Sequence, residues 1–518
     1  MNRLLTILIL SLSFFSGSAQ TTQVCRPMLD PNIAVPNGGI FRTWDGSIDG
    51  IKIINIFKES PYRDTSNLLY CRYDWCMLET EENKFDFNRI ESLMQKAIKG
   101  HQRIIIGLAF MDPDRFSTLQ ERDGKKIATP IYIYDEAKKS RYPFIKDELH
   151  CKNGYSPDYH LPFLFKKYKS LLKAFSKWLE GNVAGSNIKR KNVIYGIEMR
   201  YAGYWGEGPV NKNIYPDDAR VLDSYMNLFP KYFPDILLIA GGGEAHHCPN
   251  YAGDNIGDYT QSQIAAMRHY YHLLNIQNKC GKAGIFIDSW SIENSQYSTY
   301  DSIGTRVIID DHDKVIRLYD YQKKHLYGQR YITGEFDYFV FSYNKQYLPY
   351  MYLGEQFKER HVCGITLSNM SMQNAAQYEN RKDEIINNTR KVMPYTGYRV
   401  VLGNVVITGR KLSFILANIG ISRIFHDYYQ LHLIVRDFNG KVIYDYPSNF
   451  DFKTLNYCKG RPLTYYGQDG KRLTFTLPAI KGKVYVIVKD KYGIEYPMTL
   501  SNYGRQKDGS YFIGNINY

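Results

Sequence analysis

No C-x-x-C pair, no G-x-G-x-x-G after the first apolar strand, no basic helix and no apolar run of membrane-spanning length occurs in these 518 residues. Each absence removes a class. Eight cysteines, at 25, 71, 76, 151, 248, 280, 363 and 458, are too dilute for a disulfide scaffold and lack the spacing of a zinc ribbon. One or two disulfides and buried free thiols both remain open for them. Without the glycine fingerprint an open dinucleotide-binding sheet has no phosphate cradle, and no cofactor is expected. Basic residues exceed acidic ones by 66 − 52 = 14 but are scattered, so no nucleic-acid partner is expected. A solvated lysine-rich exterior accounts for that charge; an acidic polysaccharide or a membrane surface is the alternative. The longest apolar run, Leu4–Phe15, covers 12 residues where a span needs about 20, so no membrane span is expected.

What is present begins with that same run. Arg3 precedes it and Gly17, Ser18 and Ala19 follow, the layout of a cleavable secretory signal over residues 1–19. Thr22, Gln23 and Val24 before Cys25 do not make a lipid-anchor signal, so a periplasmic or secreted chain is expected. Aromatic residues are abundant, with 46 Tyr, 26 Phe and 5 Trp. Aromatic faces fill cores and also stack on the C–H faces of sugars.

Beyond residue 60 strand and helix signals alternate. Apolar runs at 67–75, 103–110, 192–200, 236–242, 283–290, 330–336 and 363–370 read as strands, with a first strand placed at Gly50–Phe57. Between them lie helical patterns, including 161–181, 218–233, 261–279, 314–326 and about 346–359. In the first, Phe87, Ile90, Leu93, Met94, Ala97 and Ile98 recur at helical spacing behind an Asn88–Glu91 capping box and before Gly100. Eight strictly alternating units predict a parallel sheet closed into a (β/α)8 TIM barrel over 20–395. From 396 to 518 short β-rich runs broken by Asn-Gly and Asp-Gly turns predict a small all-β sandwich domain. The aromatic stretch 111–160, with Tyr132, Tyr134, Tyr142 and Tyr155, is long for a strand-to-helix loop; it either walls a cleft or covers apolar surface.

In such a barrel the chemistry sits at the carboxyl ends of the strands. Those ends hold Arg72, Asp74 and Trp75, then Asp112, then Trp205 and Glu207, then Glu244, His246 and His247, then Asp288 and Trp290, then Glu335 and Asp337, then Asn369. Three of the five tryptophans fall among them. Cleaving a glycosidic bond takes two carboxyls across one sugar, and the fourth and seventh strands face each other across a barrel mouth. Glu207, beside Trp205, and Glu335, after Gly334, make that pair, the apolar Trp205 wall suiting Glu207 to the acid role. Glu207 capping the helix near Asp217, and Glu335 pairing with an arginine inside the barrel, are the alternatives. Glu198, inside the fourth strand, competes for the acid role, orients a neighbour or binds a hydroxyl. The remaining expected substrate contacts are Arg72, Asp74, Trp75, Trp205, Glu244, His246, Asp288 and Trp290. No metal is expected: His246, His247 and Cys248 are adjacent rather than spaced as ligands. Asp310, Asp311, His312 and Asp313 read as a helix N-terminus.

These motifs carry a resemblance. "YCRYDWCMLETEENKFDFNRIESLMQKAIKGHQRIII" resembles the second strand and helix of clan A glycoside hydrolases, especially β-galactosidase-like barrels. "GYWGEG" is similar to the W-G-E loop of a secreted bacterial barrel family of unknown function that carries a C-terminal β domain. The resemblance implies a retaining glycoside hydrolase acting on an oligo- or polysaccharide, with Glu207 as acid/base and Glu335 as nucleophile. One position departs from the clan, since Gly206 stands where Asn normally precedes the acid/base. A non-catalytic glycan-binding barrel is therefore the rival reading. No motif specifies the sugar, the linkage or the oligomeric state.

Overall fold

The computed structural model describes residues 25, 27, 41–44, 68–109, 120–146, 153–203, 206, 216–241, 247–290, 305–336, 358–364, 396–457 and 470–518. They form two compact units, divided between Thr396 and Gly397, with Cys25 and Pro27 grouped with the C-terminal unit.

Seven strands make the central sheet of the larger unit: β1 Phe41–Trp44, β2 Leu68–Asp74, β3 Arg103–Ala109, β4 Ile194–Met199, β5 Leu237–Gly241, β6 Ala283–Trp290 and β7 Tyr331–Phe336. They lie side by side in chain order and pair in parallel throughout. A doubly wound sheet reverses its order at a switch point, and this one does not; the order is that of a (β/α)8 barrel. The sheet is also curled. Tyr195 on β4 and Tyr331 on β7 have ring centroids 5.6 Å apart although β5 and β6 lie between their strands. In a flat sheet three strand spacings would hold them about 14 Å apart. Beside β7, where the sequence reading places an eighth strand at 363–370, the Cys363 N–H donates to the Ile332 carbonyl at 2.7 Å and the Thr333 hydroxyl donates to the Gly364 carbonyl at 2.9 Å, while 365–370 lie outside the described residues.

Every residue of β2 and β3 is buried, as a sheet covered on both faces requires. The covering helices are α1 Asn88–Lys99, α2 Ile131–Lys139, α3 Pro162–Leu179, α4 Ala219–Met226, α5 Gln261–Leu274 and α6 Leu318–His325. On α1, Ile90, Leu93, Met94 and Ala97 form the buried stripe. Its expected capping box does not form. Asp86 accepts the Asn88 N–H instead, while Glu91 pairs with Arg190 at 2.6 Å and accepts the Ala184 N–H.

Two other readings are corrected. The sheet position beside β2 belongs to Phe41–Trp44, whereas Gly50–Phe57 lies outside the described residues. Asp310–Asp313 is a hairpin turn, not a helix start: strands 307–309 and 315–317 pair antiparallel, and Asp310 accepts the N–H groups of His312 and Lys314. The helix there starts at Leu318 rather than 314.

The smaller unit has a three-stranded antiparallel sheet (400–408, 411–418, 471–476) and a four-stranded one (442–447, 429–436, 481–490, 511–517). Leu402, Phe414 and Leu416 of the first share one core with Leu431, Leu433, Val484 and Val486 of the second, which makes it a β-sandwich. Cys25 lies in this core and Pro27 bridges to Asn502, so these residues belong to the sandwich although the sequence groups them with the barrel. Burial pushes the Cys25 thiol up to about 12. Cys25, Cys71, Cys76, Cys248 and Cys363 are buried free thiols. Among the described residues no helix is long and apolar enough to cross a membrane.

Candidate functional site

The parallel register sets Arg72 of β2, Gly107 of β3 and Glu198 of β4 side by side. Gly107 is the reason two long side chains fit there. A Cβ on it would stand 3.0 Å from Arg200 Cγ and 3.3 Å from both Arg72 Cγ and Glu198 Oε2. Strand alternation brings Tyr70, two residues before Arg72, and Arg200, two after Glu198, to the same face.

These four side chains bond to one another. Glu198 Oε2 accepts from the Tyr70 hydroxyl at 2.5 Å and from Arg200 Nε at 2.8 Å, with Arg72 Nε 3.9 Å away. The Tyr70 oxygen in turn accepts from Arg72 Nε and, at 3.0 Å, from Arg200 Nη2. Burial, ahead of the surrounding charges, pushes the Tyr70 phenol well above its usual range, so it stays a donor. Glu198 is 1 % exposed and its Oε2 is filled by internal donors, the position of a residue that orients its neighbours. Arg72 and Asp74 are likewise buried. Arg72 and Glu198, expected as substrate contacts, thus share one buried layer of mutually bonded side chains. Sequence reasoning missed Tyr70, Gly107 and Arg200; the i, i±2 spacing from Arg72 and Glu198 was the available signal for Tyr70 and Arg200.

Trp75 is corrected as a substrate contact. Its residues run straight from β2 into a helical turn, 75–78, which folds the ring back beneath α3. There it is fully buried, 5.4 Å from the Tyr168 ring, with Nε1 donating to Glu79 Oε2 at 2.8 Å.

Past β4 the chain makes a tight loop. Gly203 and Gly206 both have left-handed backbones, φ 72° and 65°, and the Gly206 N–H donates to the Gly203 carbonyl at 3.2 Å. The Gly203 N–H donates to the Tyr159 hydroxyl at 2.8 Å. Gly206 thereby returns onto Arg200: a Cβ would lie 2.3 Å from Arg200 Cβ and 2.7 Å from its Cα and carbonyl oxygen. No side chain fits there, which gives the departure from the clan's Asn a steric cause. Gly206→Asn is expected to lose about 2 kcal/mol or more of stability, from the left-handed backbone and the overlap together; a urea unfolding curve superposing on wild type would refute this.

The loop's first residue is tethered further out. Tyr201 meets His269 Nε2 at 2.8 Å, His269 Nδ1 meets Asp223 at 2.7 Å, His272 Nδ1 meets the other Asp223 oxygen at 2.6 Å, and His272 Nε2 meets Asp311 at 2.8 Å. Both ring nitrogens of His272 face carboxylates, which suits only an imidazolium. Hydrogen bonding to Asp223, then its charge and Asp311, raises the His272 pKa above the ordinary histidine value of 6.5 against the opposing effect of burial. A raised folded pKa gives stability that is complete below 6.5 and lost as pH rises through the folded value. The Asp311→Asn protein is therefore expected to lose stability relative to wild type below that range, on the order of 1 kcal/mol, with the two converging at higher pH; a constant gap across pH would contradict it.

Glu335 is the next-to-last residue of β7, and Ile287–Gly334 and Trp290–Phe336 are register partners, so Asp288, Trp290 and Glu335 share the carboxyl ends of adjoining strands. Trp205, Glu207, Glu244 and His246 lie outside the described residues, as do Asp112, Asp337 and Asn369. Cys248 is buried, and its carbonyl accepts from Arg306. Among the described residues no three His, Cys, Asp or Glu side chains are grouped to hold a metal.

No family model matches the chain, and no curated protein matches it. Among solved structures, the chain is similar to the catalytic domain of β-amylase from Paenibacillus polymyxa at 12% identity and TM-score 0.38, covering 68% of this chain and 99% of that one. It is similar to endo-glycoceramidase II from Rhodococcus sp. at 9% identity and TM-score 0.40, covering 86% and 98%. It is also similar to a family 39 glycoside hydrolase from Bacteroides cellulosilyticus at 10% identity and TM-score 0.32, covering 81% and 80%.

Proposed function

We propose that this chain is a secreted or periplasmic glycoside hydrolase that cleaves an oligo- or polysaccharide with retention, through Glu335 as nucleophile and Glu207 as acid/base. The observation that carries the reading is the facing of β4 and β7 across the curled sheet, Tyr195 against Tyr331, with Glu335 near the carboxyl end of β7 and the loop that leads to Glu207 following β4. A sugar ring held between those ends meets one carboxyl on each side, the layout a double displacement requires. Glu335 attacks the anomeric carbon while Glu207 protonates the leaving oxygen. Water deprotonated by Glu207 then releases the sugar from Glu335. Trp205 and Trp290 stack on the substrate, and Glu244, His246 and Asp288 bind its hydroxyls. The rival, a glycan-binding barrel without catalysis, is favoured by one feature: the steric exclusion of Asn at 206 removes the clan's usual contact to the 2-hydroxyl.

Incubating the full-length protein with a panel of α- and β-glycosides and following the anomeric protons by NMR tests this. The expected result is cleavage of at least one glycoside with the first-formed sugar retaining its configuration. Inverted product would overturn the double displacement, and binding without cleavage across the panel would favour the rival.

A further inference from the structure

The insertion between β3 and α3 links the carboxyl end of a barrel strand to the next helix, so it belongs to the face on which barrel sites are built. Strands 120–122 and 125–127 form its hairpin, α2 follows, and 145–146 pairs with 155–156. Tyr134, Ala137 and Lys138 fall on one face of α2 and, with Lys125, Arg141 and Phe144, enclose a hollow of about 330 Å³. That is the lower end of the ~300–1,000 Å³ range of small-ligand sites. Its floor is apolar and fixed: Tyr134 and Phe144 are buried, edge to face at 5.2 Å, and the Tyr134 hydroxyl donates to Asp123 at 3.1 Å.

The insertion as a whole is neutral, with nine Lys and Arg against nine Asp and Glu over residues 111–160, so the charge at the rim is local. On the hairpin and α2, Asp135 pairs with Arg122 at 3.3 Å, Asp123 with Lys138 at 3.1 Å and Glu136 with Lys139 at 3.9 Å. Lys125 has no carboxylate among the described residues; aromatic faces hold it instead, its ammonium 4.6 Å from the Tyr155 ring centroid and 5.3 Å from that of Tyr134. Arg141, at a left-handed position with φ 60° just past α2, likewise faces no acid among them. Two cations with unspent charge thus flank an apolar floor.

We propose that this hollow binds an anionic sugar unit, a pyranose carrying a carboxylate or a sulfate ester, which sits in the hollow while Lys125 and Arg141 take the anion. The inference rests on the glycan reading above only for the identity of the chain that carries the anion. It makes the substrate, or a distal part of it, a uronate-containing or sulfated polysaccharide.

Affinity electrophoresis of the full-length protein in gels containing polygalacturonate, dextran sulfate or neutral dextran tests it. Wild type is expected to be retarded by at least one anionic polymer and not by dextran; the polymer that retards it identifies the carboxylate or the sulfate as the group bound. The Lys125→Ala/Arg141→Ala protein is expected to bind about tenfold more weakly, as loss of two charge-assisted contacts implies. The Lys169→Ala/Lys173→Ala protein, with the same charge change on the exposed face of α3, should match wild type. Equal weakening of both doubles would reduce the effect to net charge and overturn the site, as would equal retardation by dextran. Hydrolysis of neutral glycosides without retardation would sink this inference and leave the proposed activity standing; retardation without any hydrolysis would do the reverse.

Discussion

Hydrolysis by the Glu335→Gln protein is expected to fall by a factor on the order of 10³–10⁴ or more on whichever glycoside wild type cleaves, with the melting midpoint unchanged. The change keeps size and shape and removes only the charge. A neutral amide cannot attack the anomeric carbon to form the glycosyl intermediate, so the reaction loses its first step and not merely some affinity. Position supports the unaltered stability: Glu335 comes next to last in β7, at the strand end where the barrel fold carries function. Rates and melting curves on one preparation decide the matter. Wild-type turnover would remove Glu335 from the mechanism. A midpoint lowered along with the rate would instead assign it to the support of the barrel.

The second large effect is on stability. Glu198→Ala is expected to cost about 3–5 kcal/mol, the range found when one partner of a buried ion pair is removed. Arg200 and Arg72 would keep their charges inside the barrel without the carboxylate that offsets them, and the Tyr70 hydroxyl would lose its acceptor. Solvent cannot reach in to compensate, since Arg72, Arg200 and Glu198 are exposed by 3%, 0% and 1%. The Lys84–Glu81 pair supplies the comparison: its side chains are 68% and 67% exposed, and Glu81→Ala should change stability by less than about 1 kcal/mol. Urea unfolding of the two variants, with unchanged slopes, measures the difference. Similar small losses for both would mean that the layer is open to water and free to serve a ligand, which would restore Glu198 to the site.

The larger elements were legible from local pattern. The run 283–290 is a strand over exactly those residues, and 261–279 is helical from Gln261, because apolar continuity and 3.6-residue periodicity are properties of neighbouring residues. The strict alternation also carried the barrel, since a parallel connection needs its helix in sequence between two strands. Local pattern failed where a partner decided the outcome. Phe41–Trp44 is short and half polar, and it is a strand because β2 offers it an edge. The segment 315–317 looks like the start of a helix, yet its ladder with 307–309 makes it a strand.

The site divides in the same way. Strand ends rich in carboxylates and tryptophan could be read off one residue at a time, and they give Glu207, Glu335 and Trp290 their place in the proposal. Whether a side chain at such an end meets substrate or core is set by what packs over it. Trp75 is turned under α3 by a single helical turn whose direction no residue near it announces. Arg72 and Glu198 are 126 positions apart in sequence and meet only because the register of three strands puts a glycine between them. By itself the sequence determined the alternation of strands and helices beyond residue 60, apart from the 307–317 hairpin. The tertiary structure alone decided which polar side chains neutralise one another inside the barrel, because burial and opposite charge act through space between residues that the chain keeps far apart.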